Sequence, residues 1–157
     1  MGFPQTAAPT VTSNDTNDTQ NLVTMPATVA AGDGLVVILG LDNQNTITTP
    51  AGWTLLWFDQ SGAFFSFAGY VKVADGTEGG TTVDFVTSAA SRHGAQVFKF
   101  TAGTWGGLVT DVVDGIPVRA TNDAPNPPAV TPGWGTAFDT LWFVTDLVNG
   151  ELTAITS

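Results

Sequence analysis

The chain has 157 residues, of which 43% are apolar and only 11% are charged, and its formal net charge at pH 7 is −10. This length fits one domain, and four Lys and Arg against fourteen Asp and Glu cannot form the basic stripe that nucleic-acid binding needs. The same balance disfavours binding to an anionic membrane surface, and the absence of cysteine excludes disulfides and thiolate chemistry.

The first segment, residues 1–21, is polar and rich in turn-forming types, which predicts an extended N-terminal arm rather than a packed element. The rest, residues 22–157, carries short apolar runs rich in β-branched and aromatic residues, separated by Gly, Pro, Asn and Asp. The predicted strands are residues 22–25, 35–41, 53–58, 64–74, 82–87, 95–101, 109–118, 141–148 and 152–155.

Two of these segments have the clearest strand patterns. Residues 35–41 are almost continuously apolar, which favours a buried strand, and residues 64–74 alternate between two faces. The only stretch that could form a helical turn, residues 88–92, is too short to shape the fold. We therefore predict a single all-β domain, an antiparallel β-sandwich with jelly-roll-like connectivity.

One sequence pattern occurs twice in the domain, which predicts two related halves. Asp33 and Asp139 each lie two residues ahead of an apolar strand that is followed by a short hairpin. The halves span about residues 22–103 and 104–157, and the second is cut short. A second half that lacks its last strand would leave an open sheet edge after residues 152–155. Because unpaired edges seek partners, Leu152 and Ile155 are candidate interface residues.

Catalytic chemistry finds little support in the residues. His93 is the one histidine, and beside Arg92 it is expected to be a loop residue rather than a member of a triad. The two glutamates, Glu78 and Glu151, lie in or beside predicted turns, so a pair of catalytic carboxylates is not expected. We predict no catalytic residues and no cofactor, and the protein is not expected to be an enzyme.

A bound cation is conceivable because β-sandwiches often carry oxygen-rich loops. The turn with Asp42, Asn43 and Asn45 is one such loop. Its spacing does not match an EF-hand, so solvated turn side chains are the default expectation and no metal ligand is predicted.

The five tryptophans divide into two groups. Trp53, Trp57 and Trp142 fall in predicted strands and are expected in the core. Trp105 and Trp134 lie in glycine-rich loops, where their own segments cannot bury them. They could pack back over the end of the sandwich, anchor a subunit contact or stack on a sugar. Both are therefore candidate interface or ligand residues.

Several motifs in the first half resemble a pattern common in phage virion proteins. They are GDGLVV at residues 32–37, TITTPAGWTL at 46–55, YVKVA at 70–74 and a Thr-rich strand at 81–87. The similarity covers about residues 25–103. It implies a jelly-roll-like β-sandwich of a head-decorating or tail-associated protein, and it supplies no catalytic residues.

The resemblance and the composition together suggest a function without chemistry. We expect a phage structural protein on the outer surface of the virion, most simply a capsid decoration (cement) protein that stabilises the head. Its partners would be the major capsid protein or other virion proteins and copies of itself, with no nucleic acid and no membrane. The alternative is a tail or fibre module that recognises host surface glycans through Trp105 or Trp134.

Overall fold

The computed structural model describes residues 6–61, 65–109, 144–148 and 151–155. These residues form strands and loops without an α-helix, and no helix among them is long and apolar enough to cross a membrane. The strands are β1 (Thr10–Asp18), β2 (Leu22–Thr24), β3 (Gly34–Leu41), β4 (Thr54–Ser61), β5 (Phe65–Val73), β6 (Thr82–Asp84), β7 (Ser91–Phe100), β8 (Val144–Val148) and β9 (Glu151–Ile155). The predicted all-β class is confirmed.

Antiparallel sheets pack as a sandwich, as predicted. The main sheet has five strands in the order β1-β7-β3-β5-β4, and β2 and β6 form a second sheet against one of its faces. A bridge between Ile47 and Thr87 extends this second layer along the chain that leads into β4. Jelly-roll connectivity stays a prediction, with which the described strands are compatible.

The centre of the main sheet is buried on both faces, since every residue of its central strand, β3, is buried and nearly all are apolar. The inner core fills the space between the two sheets and contains Val23, Met25, Leu35, Val37, Leu39, Leu41, Trp53, Ala68, Tyr70, Ala74, Phe85, Ala95 and Val97. The outer core lies on the opposite face and contains Val36, Ile38, Val71, Phe98 and Phe100. Each fully buried large apolar side chain contributes about 1.5–3 kcal/mol to stability.

The N-terminal arm differs from the prediction in one respect. Its backbone is extended, but Thr10–Asp18 pairs with β7 and forms the first strand of the main sheet. Polar side chains on both faces gave no apolar periodicity to detect. The strand forms because the N–H and C=O groups along the edge of β7 need partners.

β7 starts earlier in the chain than the predicted strand at residues 95–101. The strand begins at Ser91, so His93 lies within a strand and not in the expected loop. At the other end of the chain, β8 and β9 pair antiparallel, which confirms the predicted hairpin. Most of the second predicted half, residues 104–157, lies outside the described residues.

Candidate interaction site

Trp105 packs against the main sheet from the loop that follows β7. Its indole lies over Gly34, where an added β-carbon would be only 2.9 Å from Cζ2 of the ring. The ring centroid is 6.4 Å from that of Phe100, and Nε1–H donates a hydrogen bond of 3.2 Å to the carbonyl oxygen of Gly32. Of the three roles considered for Trp105, the structure shows packing over the sandwich.

Trp57 uses the same arrangement on β4. Its indole covers Gly69, where a β-carbon would lie 2.5 Å from Cε2, and its ring centroid is 4.7 Å from that of Phe67. Both tryptophans are partly buried against the outer core. Glycines beneath them let each flat ring contact the strand backbone directly, so aromatic side chains cover this face of the sheet.

The last strand of the main sheet carries an exposed apolar patch. Leu55 is 43% exposed and Phe58 is 38% exposed, and we call these two residues the β4 patch. Their register partners, Tyr70 and Ala68, both face the inner core. The patch therefore lies on the inner-core side of the sheet, at a margin that the second layer leaves partly uncovered. An exposed pair of large apolar side chains on an outermost strand is suited to contact with another protein surface.

The opposite margin of the sheet is polar. None of the nine residues of β1 is buried, and its side chains alternate only between half-buried and exposed. The backbone ladder with β7 is interrupted between Asn14 and Asp18. The two margins of the sheet thus differ in character, since β4 offers two large apolar side chains, whereas β1 offers Thr, Ser, Asn and Asp with Val11 as its one exposed apolar residue.

Asp33 joins the beginning of β3 to the end of β7. Its carboxylate accepts hydrogen bonds from the N–H of Ala102 at 2.8 Å and of Ala30 at 2.9 Å, and Lys99 Nζ lies 3.8 Å from Oδ2. The side chain is buried, so these donors replace the water that a carboxylate needs. Asp33, the aspartate of the sequence pattern that occurs twice, therefore has a structural role in the first half. Its counterpart Asp139 lies outside the described residues.

A second buried carboxylate organises the turn between β5 and β6. Glu78 accepts from Lys72 Nζ at 2.7 Å and from the N–H groups of Asp75 and Gly76. Burial opposes ionisation, but the ammonium and the backbone donors outweigh it and lower the pKa of Glu78. Lys72 also lies 3.8 Å from Asp75. The pKa of Asp75 is lowered as well, chiefly by hydrogen bonds from Thr77. Both groups hold a turn in place.

His93 is 4% exposed and faces the inner core beside Ala95. Burial lowers the pKa of its imidazole, while the Leu22 backbone and the Asp84 carboxylate oppose that shift. Neither ring nitrogen reaches hydrogen-bond geometry with another atom of the described residues. A neutral imidazole enclosed by protein cannot exchange protons with a substrate in solution, so the structure does not bring His93 to a reactive surface.

The oxygen-rich turn after β3 uses its side chains to hold itself together. Asn45 Oδ1 accepts from Ser88 Oγ at 3.2 Å and from the N–H of Ala89 at 2.9 Å. Asp42 Oδ1 accepts from the N–H of Arg92, and Asn43 Nδ2 donates to the carbonyl of Ala90. Within the described ranges, His, Asp and Glu side chains nowhere gather in a group of three or more that could hold a metal ion.

Of the predicted interface residues, Trp134 is not described by the structure, and Leu152 and Ile155 are described by their backbone alone. Leu152 and Ile155 lie on β9, where they pair with Leu147 and Val144 of β8, and nothing is described of their side chains. The β4 patch was not among the predicted candidates. The only sequence signal for it was the presence of apolar residues on both faces of the predicted strand at 53–58.

No protein-family model matches the chain, and neither a curated protein nor a solved structure matches it. The resemblance to phage virion proteins therefore depends on the sequence motifs alone.

Proposed function

We propose that the protein is a non-enzymatic structural protein of a phage virion that binds the outer surface of the head as a decoration protein. The β4 patch is the observation that carries this proposal. Leu55 and Phe58 are exposed on an outermost strand of a β-sandwich whose other large apolar side chains mostly lie in two cores. The proposed partner is the major capsid protein, as the virion resemblance suggests.

Composition supports an outward position on the shell. A net charge of −10 would repel packaged DNA, and the small number of charged residues leaves a surface of Thr, Ser, Asn, Gln and Gly. Such a surface contacts other proteins at little desolvation cost, because few charges must leave water.

The buried position of His93 also supports a role without chemistry. The one imidazole of the chain is enclosed in the inner core, and the buried carboxylates Asp33 and Glu78 are occupied by backbone donors and lysines. The two carboxylates therefore hold loops in place and are not available for acid–base chemistry.

The alternative, a tail or fibre module that binds host glycans, receives no support from the described contacts. A sugar would need an accessible tryptophan face to stack on, whereas Trp105 is partly buried and applies one face of its indole to Gly34 of its own sheet. Trp134, the other candidate, lies outside the described residues. We therefore retain decoration of the head as the proposal.

The test is binding of the purified protein to phage heads from which it has been removed. We expect saturable binding and a higher temperature of head disruption. Leu55→Lys combined with Phe58→Lys should abolish binding, because two buried unpaired charges at the interface would oppose it. Leu22→Lys combined with Val86→Lys is the matched control, since these two side chains are 48% and 42% exposed on the second layer and the variant adds the same number of charges. Heads that bind neither protein, or that bind the Leu55→Lys/Phe58→Lys variant as well as the wild type, would overturn the proposal.

A further inference from the structure

We propose that β1 is an exchangeable strand, and that in a pair of copies the β1 of each molecule occupies the β7 edge of the other. This inference concerns contacts between copies and does not depend on the virion proposal. Its basis is a contrast between the two paired strands: no residue of β1 is buried, whereas eight of the ten residues of β7 are buried.

The contacts that retain β1 are those of an edge strand and not those of a core element. The ladder joins Thr10 through Asn14 to the segment from Val97 to His93 and, after an irregularity, Asp18 to Ser91. A single bridge ahead of the strand joins Thr6 to Phe100. Beyond these backbone pairs, β1 is tied to the other described strands by two exposed hydrogen bonds, from the N–H of Thr24 to Thr12 Oγ1 and from Arg92 Nε to the carbonyl of Asp15. Exposed hydrogen bonds of this kind exchange readily with water, so β1 can detach without opening either core.

The chain changes abruptly from loosely held to firmly held just after β1. Asn21 is fully buried, and its N–H and Nδ2 donate to Asp84 Oδ1 and to the carbonyl of Phe85, each at 3.0 Å. Thr19 already belongs to the firmly held part, since its carbonyl accepts a hydrogen bond of 2.9 Å from the N–H of Thr87. The junction of Asp18 with Thr19 is therefore the hinge at which β1, as an intact terminal element, can swing outward.

A second copy of β1 is the occupant that fits the vacated edge. It would form the same ladder in the same register, so exchange replaces the contacts that it breaks. The equilibrium between the single molecule and the exchanged pair is therefore set by protein concentration and by the geometry of the hinge. β1 carries Asp15 and Asp18 in a molecule with a net charge of −10. Repulsion between copies should therefore limit exchange at low ionic strength and permit it as salt screens the charges.

Single-cysteine variants test the exchange cleanly because the chain contains no cysteine. Thr12 pairs with Ala95, and Val97 pairs with Thr10. A mixture of the separate variants Thr12→Cys and Ala95→Cys places two thiols opposite each other only when β1 has crossed between molecules. The mixture of Thr12→Cys with Val97→Cys is the control, since its thiols would lie two residues out of register.

We expect a heterodisulfide in the first mixture at about tenfold or higher yield than in the control, because an offset of two residues places the two thiols beyond disulfide reach. The yield should increase with protein concentration and with salt. The combined variant Thr12→Cys/Ala95→Cys should close an internal disulfide when dilute. Equal yields in the two mixtures would overturn the proposal, as would the absence of heterodisulfide from both while the combined variant closes.

Amide hydrogen exchange of the unmodified protein provides a second, independent measurement. Exchange of β1 requires a local opening, so the amides of Thr10–Asp18 should be deuterated far faster than those of the buried strand Gly34–Leu41, for which we expect exchange only on global unfolding. Equal protection of the two strands would show that β1 leaves only when the whole domain unfolds, and the proposal would be wrong.

Discussion

The indole of Trp105 lies directly over the α-carbon of Gly34, with no space between them for a methyl group: a β-carbon on Gly34 would be 2.9 Å from Cζ2 of the ring. The loop after β7 is thereby fixed to the first residue of β3. The hydrogen bond from Nε1–H to Gly32 sets the orientation of the ring. Gly34, the second glycine of the GDG motif at residues 32–34, is thus required because Trp105, which is distant in sequence, packs directly on it.

Gly34→Ala should lower the free energy of unfolding by about 1–3 kcal/mol, because the new methyl group displaces the ring. Urea denaturation measures this loss. The same substitution in a Trp105→Ala background should cost much less, since the clash is then absent, and the difference between the two costs is the coupling energy. Equal costs in the two backgrounds would contradict the packing of Trp105 described above.

Asp33→Ala should destabilise the protein by about 1–3 kcal/mol, because the N–H groups of Ala30 and Ala102 lose their shared acceptor. Asp15→Asn is the control, since Asp15 is an exposed residue of the edge strand β1. Thermal unfolding compares the variants at one pH. A change at Asp15 as large as that at Asp33 would mean that overall charge, rather than the two hydrogen bonds, determines the effect.

His93 should make stability depend on pH in a definite direction. Burial lowers the pKa of the folded imidazole below its ordinary value of 6.5, so the unfolded chain takes up a proton first. This contribution is complete above pH 6.5 and declines as the pH falls toward the folded-state pKa, by at most about 1.4 kcal/mol per pH unit.

Urea titrations between pH 8 and 5 measure this dependence. The variant His93→Gln lacks the one imidazole of the chain, so its stability should vary much less between pH 7 and 5. The lowered pKa values of Glu78 and Asp75 act separately, since carboxylates contribute above their unfolded values and lose that contribution in stronger acid. Identical slopes for the wild type and His93→Gln would exclude His93 as the source.

Lys72→Met should destabilise the protein by about 1–3 kcal/mol near neutral pH, because the buried carboxylate of Glu78 loses its ammonium partner at 2.7 Å. The penalty should shrink in acid, where Glu78 takes up a proton and no longer needs a counter-charge. The combined variant Lys72→Met/Glu78→Gln should recover part of the loss at pH 7. A penalty that is constant from pH 7 to 4 would show that the alkyl stem of Lys72, and not its charge, stabilises the turn.

The sequence predicted the strands whose patterns are local. The apolar run at residues 35–41 and the alternation at 64–74 correspond closely to Gly34–Leu41 and Phe65–Val73. The strand Thr10–Asp18 was missed because its polar residues carry no periodicity, and its pairing is decided by the edge of β7. His93 was misplaced in a loop because nothing local indicates that a second layer will cover it.

The candidate site was less accessible to sequence reasoning. Trp105 was recognised as a residue that its own loop cannot bury, but its partner Gly34 lies in another strand and only the fold brings them together. The β4 patch was missed for a related reason. The exposure of Leu55 and Phe58 depends on how far the second layer extends over the main sheet, and no local pattern records that distance.

The copy number of the chain in purified virions tests the central claim most directly. Quantitative mass spectrometry against the major capsid protein measures it. As a decoration protein the chain should be present in a fixed ratio to the capsid protein and at a comparable copy number. A few copies per particle would instead indicate a tail or fibre component, and absence from the particle would contradict the virion proposal altogether.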